Sequence, residues 1–169
     1  MRGDTERGKK PRIGVIKVNV DATVLDGIGV GWGCVGRDDQ GKMLWCAVTQ
    51  RRGEMDATMA EALGMWHGLS EAVKHGHQDI EMESDCAVVV HDLQRKAKGR
   101  SDLFLVYEDI LSICNSVRSL SFVFTRRNNN KVAHNLARFG PWSEGHRSWE
   151  SVIPMEVLCM AERDANLIY

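Results

Sequence analysis

Glycine stands at every second position from Gly27 to Gly33, with Ile28, Val30 and Trp32 between. At the two-residue period of a strand this alternation strips one face of its side chains. Another backbone or a ligand must therefore lie directly against that face. A dinucleotide-binding loop is excluded, because the glycine spacing is wrong for one and no helix opens after it. Residues 28–37 and 42–50 read as strands. The turn Arg37-Asp38-Asp39-Gln40-Gly41-Lys42 between them is too short for a parallel crossover, so they pair as an antiparallel hairpin. Upstream, Ile13, Val15, Ile16, Val18 and Val20 predict a first strand that closes at Asp21.

Beyond this meander the hydrophobic period lengthens. Met59, Leu63, Trp66, Leu69 and Val73 predict a helix over 56–75 with those residues on its apolar face. Glu61, Gly64 and Gly68 lie on a different stripe, and each mid-helix glycine costs about 1 kcal/mol relative to alanine, which argues for tight packing there. Gly76 closes the helix. A short strand over 79–83 runs into Ser84-Asp85, followed by helices over 86–96 and 102–117, a strand over 120–126 and a helix over 130–139. Pro154 suits the first turn of one more helix. Strands that come first as a meander and then alternate with helices imply an α/β fold, a mixed sheet covered by helices. The 169 residues suffice for one domain without covalent staples. Its expected organisation is a flexible basic arm over 1–11, a folded unit over 12–139 and an extension over 140–169 packed on that unit.

The overall charge of −1 conceals segregation. Residues 1–20 carry six Lys/Arg against Asp4 and Glu6; residues 54–92 carry nine Asp/Glu against Lys74 alone; residues 93–131 carry eight Lys/Arg against Asp102, Glu108 and Asp109. The run Arg95, Lys96, Lys98, Arg100 suits a polyanion, whereas the acidic block would repel one unless cations intervene. No apolar run reaches the roughly 20 residues of a membrane span, so no membrane partner is expected. The first dozen residues lack the apolar stretch of a secretory signal. Five cysteines without close spacing suggest free thiols rather than a zinc knuckle or a disulfide frame. An intracellular protein, nuclear or cytoplasmic, is expected.

Three acids sit at predicted element ends: Asp21 after the first strand, Glu61 early in the long helix and Asp85 after the fourth strand. Adjacent strands of an open sheet can bring such ends to one edge. Carboxylates gathered there repel unless a hard cation such as Mg²⁺ or Mn²⁺ joins them, and two such ions can support phosphoryl transfer. Each acid also has an ordinary structural use. Asp21 can start an Asx-turn, Thr58-Met59-Ala60-Glu61 has the form of a capping box, and Asp85 or Ser84 can cap a helix.

Five strings, in order, carry a resemblance. They are Lys17-Val18-Asn19-Val20-Asp21-Ala22, the run Gly31 to Gly41, Ala60-Glu61-Ala62-Leu63-Gly64, Glu83-Ser84-Asp85-Cys86, and Asn130-Lys131-Val132-Ala133-His134-Asn135-Leu136-Ala137. Together they resemble the ribonuclease H family, in its reverse-transcriptase-associated, archaeal-like branch common in plant retroelements and their domesticated relatives. The resemblance spans roughly 12–139. It implies a five-stranded mixed sheet, strands 1–3 antiparallel and strands 4–5 parallel to strand 1, flanked by helices. It further implies endonucleolytic hydrolysis of the RNA strand of RNA–DNA hybrids, leaving 5′-phosphate and 3′-hydroxyl ends. Asp21, Glu61 and Asp85 would then be ligands to two Mg²⁺ or Mn²⁺ ions. Backbone at Ala22 and Thr23, and Thr58 at the start of the long helix, would contact the hybrid. Arg95, Lys96, Lys98 and Arg100 fall where some relatives carry a basic substrate-binding protrusion. Arg126 and Arg127 are phosphate-contact candidates beside the site. The partner would be the hybrid, with a reverse transcriptase domain or another protein as a further one, and the chain itself is expected to be a monomer.

Two positions depart from the family pattern. The fourth carboxylate falls on His134, a poorer partner for Mg²⁺ than for Mn²⁺. By its place in that pattern His134 is a catalytic and metal-ligating candidate, with weaker hold on a second ion and reduced activity expected; the alternative for it is an ordinary exposed helical residue. The proton-transferring histidine of some members falls near Phe124, which cannot do that work. The alternative reading is a domesticated domain, weak or inactive in catalysis, that binds nucleic acid or a protein. His75 and His77 are expected to flank a turn, and Trp45, Trp66, Trp142 and Trp149 to pack.

Overall fold

The computed structural model describes residues 10–159; of the arm expected over 1–11, only the last two residues fall within them. The elements in chain order are β1 (Ile16–Leu25), β2 (Gly29–Arg37), β3 (Met43–Arg52), α1 (Ala57–Lys74), β4 (Asp79–Ser84), α2 (Ala87–Gln94), α3 (Asp102–Ile113), β5 (Ser119–Phe124), α4 (Lys131–Ala137) and β6 (Gly145–Glu150). Residues 155–159 are helical just after Pro154. The six strands form one sheet in the order β5-β4-β1-β2-β3-β6. β1, β2 and β3 pair antiparallel, and β4 and β5 run parallel to β1.

The sheet has six strands, not the five expected. β6 pairs antiparallel with β3 from Trp45↔Glu150 to Gln50↔Gly145. Its sequence, Gly-His-Arg-Ser-Trp-Glu, has no apolar alternation. What directs it to the edge is a distant buried side chain. Gln50, 1% exposed, donates to the Phe139 carbonyl and accepts from the Ser143 N–H and the Arg147 guanidinium.

The first strand also differs from expectation. It starts at Ile16, leaving Ile13 93% exposed, and it does not close at Asp21. β2 continues to pair with β1 as far as Leu25↔Gly29, whereas the parallel partner β4 leaves after Asn19↔Glu83. Asp21 thus lies inside β1, two residues past the point where β4 leaves. The resulting gap at the sheet edge is where the site forms.

A helix explains two of the four alternating glycines, Gly31 and Gly33, whereas Gly27 lies in the β1–β2 turn and a Cβ on Gly29 would meet the Arg51 carbonyl of β3. A Cβ on Gly33 would collide with the Ala133 carbonyl oxygen, and one on Gly31 with the Ala137 carbonyl oxygen, so α4 lies directly on the bare face of β2. On the other face, α1 approaches through its small residues. Gly64, Gly68 and Ala72 are buried together with Met65, while of the expected apolar stripe Leu69 is buried and Met59, Leu63, Trp66 and Val73 are half-buried. A Cβ on Gly68 would strike Val20. Close approach outweighs side-chain size here, and it places the Glu61 stripe against the sheet. The main core (Val18, Val20, Trp45, Met65, Leu69, Met82, Leu93, Tyr107, Ile110) lies between the sheet and α1–α3. A smaller core (Val35, Cys46, Val48, Val132, Leu136, Val157) lies on the α4 face. All five cysteines are free thiols. Among the described residues no helix is long and apolar enough to cross a membrane.

Candidate active site

Each of the three acids is spared its ordinary structural use. α1 is capped by Asp56, whose Oδ1 accepts the Met59 N–H at 3.0 Å. Thr58 is therefore not the cap, and the Thr58–Glu61 capping box does not form. Ser84 Oγ accepts the Cys86 N–H at 3.1 Å where α2 begins, so Asp85 is not needed there. Asp21 lies in a strand and starts no turn. Asp21 pairs with Gly33, the residue on which α4 rests, so its side chain faces α4. Glu61 comes from α1 on the opposite face, and Asp85 follows the end of β4. The three meet across the gap where β4 stops, with one oxygen from each within 4.8 Å of the others.

Three carboxylates this close cannot all be charged without compensation. Burial, the charges of Asp21 and Asp85, and a hydrogen bond with Asp21 push Glu61 up to about 9. Burial and Asp85 also raise Asp21, against the lowering effect of His134. Glu61 Oε2 is buried without a hydrogen-bond partner. An all-oxygen set with an unpaired buried acceptor fits a hard divalent cation and does not fit a soft one.

His134 stands outside this set of three. Its Nδ1 lies 2.6 Å from Asp21 Oδ2, a short hydrogen bond, with the His134 side chain 34% exposed and that of Asp21 5%. What holds it there was not recognised in the sequence. Asn130 occupies the N-cap position of α4, yet its side chain makes no capping bond. It donates instead to the Val20 carbonyl at 2.8 Å and accepts from Asn19 Nδ2 at 3.3 Å. Asn19 Nδ2 also donates to Glu83, which Lys17 Nζ meets at 2.7 Å. The Asn130 carbonyl accepts the His134 N–H. One 1%-exposed amide thus ties the turn carrying His134 to the residue before Asp21. Asn130→Ala strands the Val20 carbonyl and is expected to cost about 1.5 kcal/mol, roughly 3–6 °C in a thermal melt followed by circular dichroism. The signal was present in the string Asn130–Ala137, but asparagine before a helix reads as a cap.

Of the predicted nucleic-acid contacts, Ala22, Thr23 and Thr58 lie on the two elements that carry Asp21 and Glu61. Thr23 Oγ1 is buried without a hydrogen-bond partner. Arg127, in a 3-10 turn before α4, places Nε 3.5 Å from Asp85 Oδ2 and is otherwise exposed. Arg126 is its exposed neighbour. Phe124, 49% exposed, ends β5 opposite Ser84. Arg95, Lys96, Lys98 and Arg100 are exposed but stand at the other end of α2 from Asp85, about 12 Å of helix rise away. Arg95 is held by Asp92. His75 and His77 flank Gly76 and stack on Trp45.

The Reverse transcriptase-like family profile matches residues 19–140. No curated protein sequence matches significantly. Among solved structures, the N-terminal ribonuclease H domain of a Mycobacterium tuberculosis protein is 19% identical, with 89% of this chain and 98% of that chain covered and a TM-score of 0.66. Ribonuclease H1 of the halophilic archaeon Halobacterium salinarum is 20% identical over 73% of this chain and 95% of that one, with a TM-score of 0.66. A ribonuclease H1 isolated from compost, solved with an RNA/DNA hybrid, is 22% identical over 73% of this chain and 94% of that one, with a TM-score of 0.64.

Proposed function

We propose that this chain, which belongs to the ribonuclease H family through its reverse transcriptase-like branch, hydrolyses the RNA strand of RNA–DNA hybrids with the help of divalent cations. The observation that carries the reading is the meeting of Asp21, Glu61 and Asp85 within 4.8 Å, with Glu61 raised to about 9. Glu61, set beside two further acids with its buried Oε2 unpartnered, is held toward its neutral form, an arrangement that suits a cation site. These three side chains would hold Mg²⁺ or Mn²⁺, two ions in the family's arrangement. Bound there, the ions supply a water nucleophile at neutral pH and counter-charge for the phosphate oxygens.

The protein's own groups account for the rest. The two faces of the sheet present Asp21 and Glu61 from opposite sides of the gap, so the scissile phosphate is received at an edge open beyond β4. Arg127 rests on Asp85 with its side chain largely exposed, and would contact a phosphate neighbouring the scissile one. Backbone at Ala22 and Thr23, with Thr58, lies where the 2′-hydroxyls that distinguish RNA would be read. Arg95 to Arg100 would serve only the outlying backbone of a long duplex. A 5′-phosphate and a 3′-hydroxyl end are the proposed products.

The His134–Asp21 hydrogen bond favours a second reading, in which the domain binds hybrid or a protein partner and cuts weakly or not at all. A foamy viral protease–reverse transcriptase solved with an RNA/DNA hybrid, 14% identical with a TM-score of 0.61, is matched over only 21% of its length. By analogy, a polymerase domain is a partner we propose for this chain. Labelled hybrid incubated with Mg²⁺ or Mn²⁺, beside an Asp21→Asn control, separates the readings. RNA-strand cleavage that the control abolishes supports the enzyme; hybrid binding without cleavage in either ion supports the binder.

A further inference from the structure

Of the three acids, Glu61 alone rides on a helix, which the buried Ala62, Met65, Leu69 and Ala72 pack against the sheet. One side chain links the peptide that carries Glu61 directly to the strand pair. The Trp32 indole N–H donates a 2.8 Å hydrogen bond to the Ala60 carbonyl. That carbonyl belongs to the peptide whose nitrogen is Glu61's own. Trp32 sits opposite Ala22, the residue after Asp21, in the β1–β2 register. A single side chain thus runs from the strand pair bearing Asp21 to the peptide bearing Glu61. Trp32 is 3% and Ala60 1% exposed, and Val30 completes their cluster with Ala22, Met55 and Leu63 against it.

Satisfying the backbone does not require this bond. Ala60 lies inside α1, where its carbonyl already has the Gly64 N–H as ladder partner, and the helix start is closed by Asp56. A buried indole needs some acceptor; that it takes the peptide adjoining Glu61 is what links it to the site. We infer that Trp32 is a positioning residue, which holds Glu61 toward Asp21 and Asp85 and so sets the affinity for the divalent cation. The inference rests on the metal-centre reading above.

Trp32→Phe keeps an aromatic ring and deletes the N–H. Trp45→Phe is a matched control, because Trp45 is equally buried and donates to His77 Nε2 at 2.9 Å, away from the site. Calorimetric titration of the substrate-free proteins with Mn²⁺ is expected to show a dissociation constant about fivefold higher for Trp32→Phe and unchanged for Trp45→Phe. The Mn²⁺ concentration for half-maximal hybrid cleavage should move by the same factor, with KM for hybrid unchanged. Equal constants for wild type and Trp32→Phe, or equal shifts in both variants, overturn the inference. Indole N–H NMR of the wild type tests it without a variant at Trp32. On Mg²⁺ addition one slowly exchanging indole signal, retained in Trp45→Phe, is expected to shift, and a spectrum in which none shifts overturns the inference. A wild type that binds no Mn²⁺ in the calorimeter overturns the metal-centre reading itself, an outcome distinct from binding that Trp32→Phe leaves unaltered.

Discussion

Glu61→Gln is expected to lower hybrid cleavage by about 10³-fold or more while raising the melting temperature of the metal-free protein. The two effects have one cause. In the cation-free fold Glu61 is raised from its ordinary 4.5 to about 9 by burial and by Asp21 and Asp85, so the folded state retains a proton that the unfolded chain releases. Stability is then fully present below about pH 4.5 and declines as pH rises toward 9, because in that window the unfolded state binds fewer protons. Asp21, also raised, adds to the same slope. Glutamine keeps the shape and can still donate to Asp21, but it has no proton to lose. We expect a gain of about 2 kcal/mol at pH 8 after allowing for solvent screening, or roughly 4–8 °C. The gain should shrink toward pH 5. Melting curves in EDTA across pH 5–9 provide the measurement. Saturating Mg²⁺ should flatten the wild-type slope as well, since a cation replaces the proton. A Glu61→Gln protein that melts at the wild-type temperature throughout that range would show that the cluster carries no electrostatic strain.

How much of this could be read beforehand depended on whether the cause lay near in sequence. The β2–β3 hairpin was legible because its turn is short, and the bare face of β2 because alternating glycines have few other uses; its occupant, α4, was not, because it comes about 100 positions later in the chain. Glu61 and Asp85 were legible as candidates near element ends and, with Asp21, as a set through the resemblance, although Asp21 proves to lie inside β1. Their release from capping was not, because a capping box and the observed Asp56 cap differ by two residues of frame. β6 was missed since its edge pairing depends on Gln50, some 95 positions upstream of Gly145. Asn130 and Trp32 share that character. An asparagine ahead of a helix suggests a cap, and a tryptophan among glycines suggests packing; each acts through one long-range hydrogen bond to a carbonyl beside an acid.

Those two bonds explain why the site can remain assembled despite its repulsion, and they also define what the histidine at position 134 costs. Asn130 holds α4 so that His134 meets Asp21, which occupies Oδ2 of the acid central to the cluster with a group that repels a cation when protonated and supplies no negative charge when neutral. His134→Asp is therefore expected to raise Mg²⁺-supported cleavage by about 30-fold, and Mn²⁺-supported cleavage by much less because imidazole nitrogen suits Mn²⁺ better than Mg²⁺. The wild type should accordingly prefer Mn²⁺, and the variant should lose that preference. Stability should change in the opposite sense: without metal, a fourth carboxylate replaces a hydrogen-bond donor beside Asp21, so the melting temperature in EDTA falls, and added Mg²⁺ restores more of it than in the wild type. Initial rates in each ion and paired melts with and without Mg²⁺ measure both effects. Equal wild-type rates in the two ions, with no change in His134→Asp, would mean that His134 is a bystander and that three acids alone define the metal chemistry.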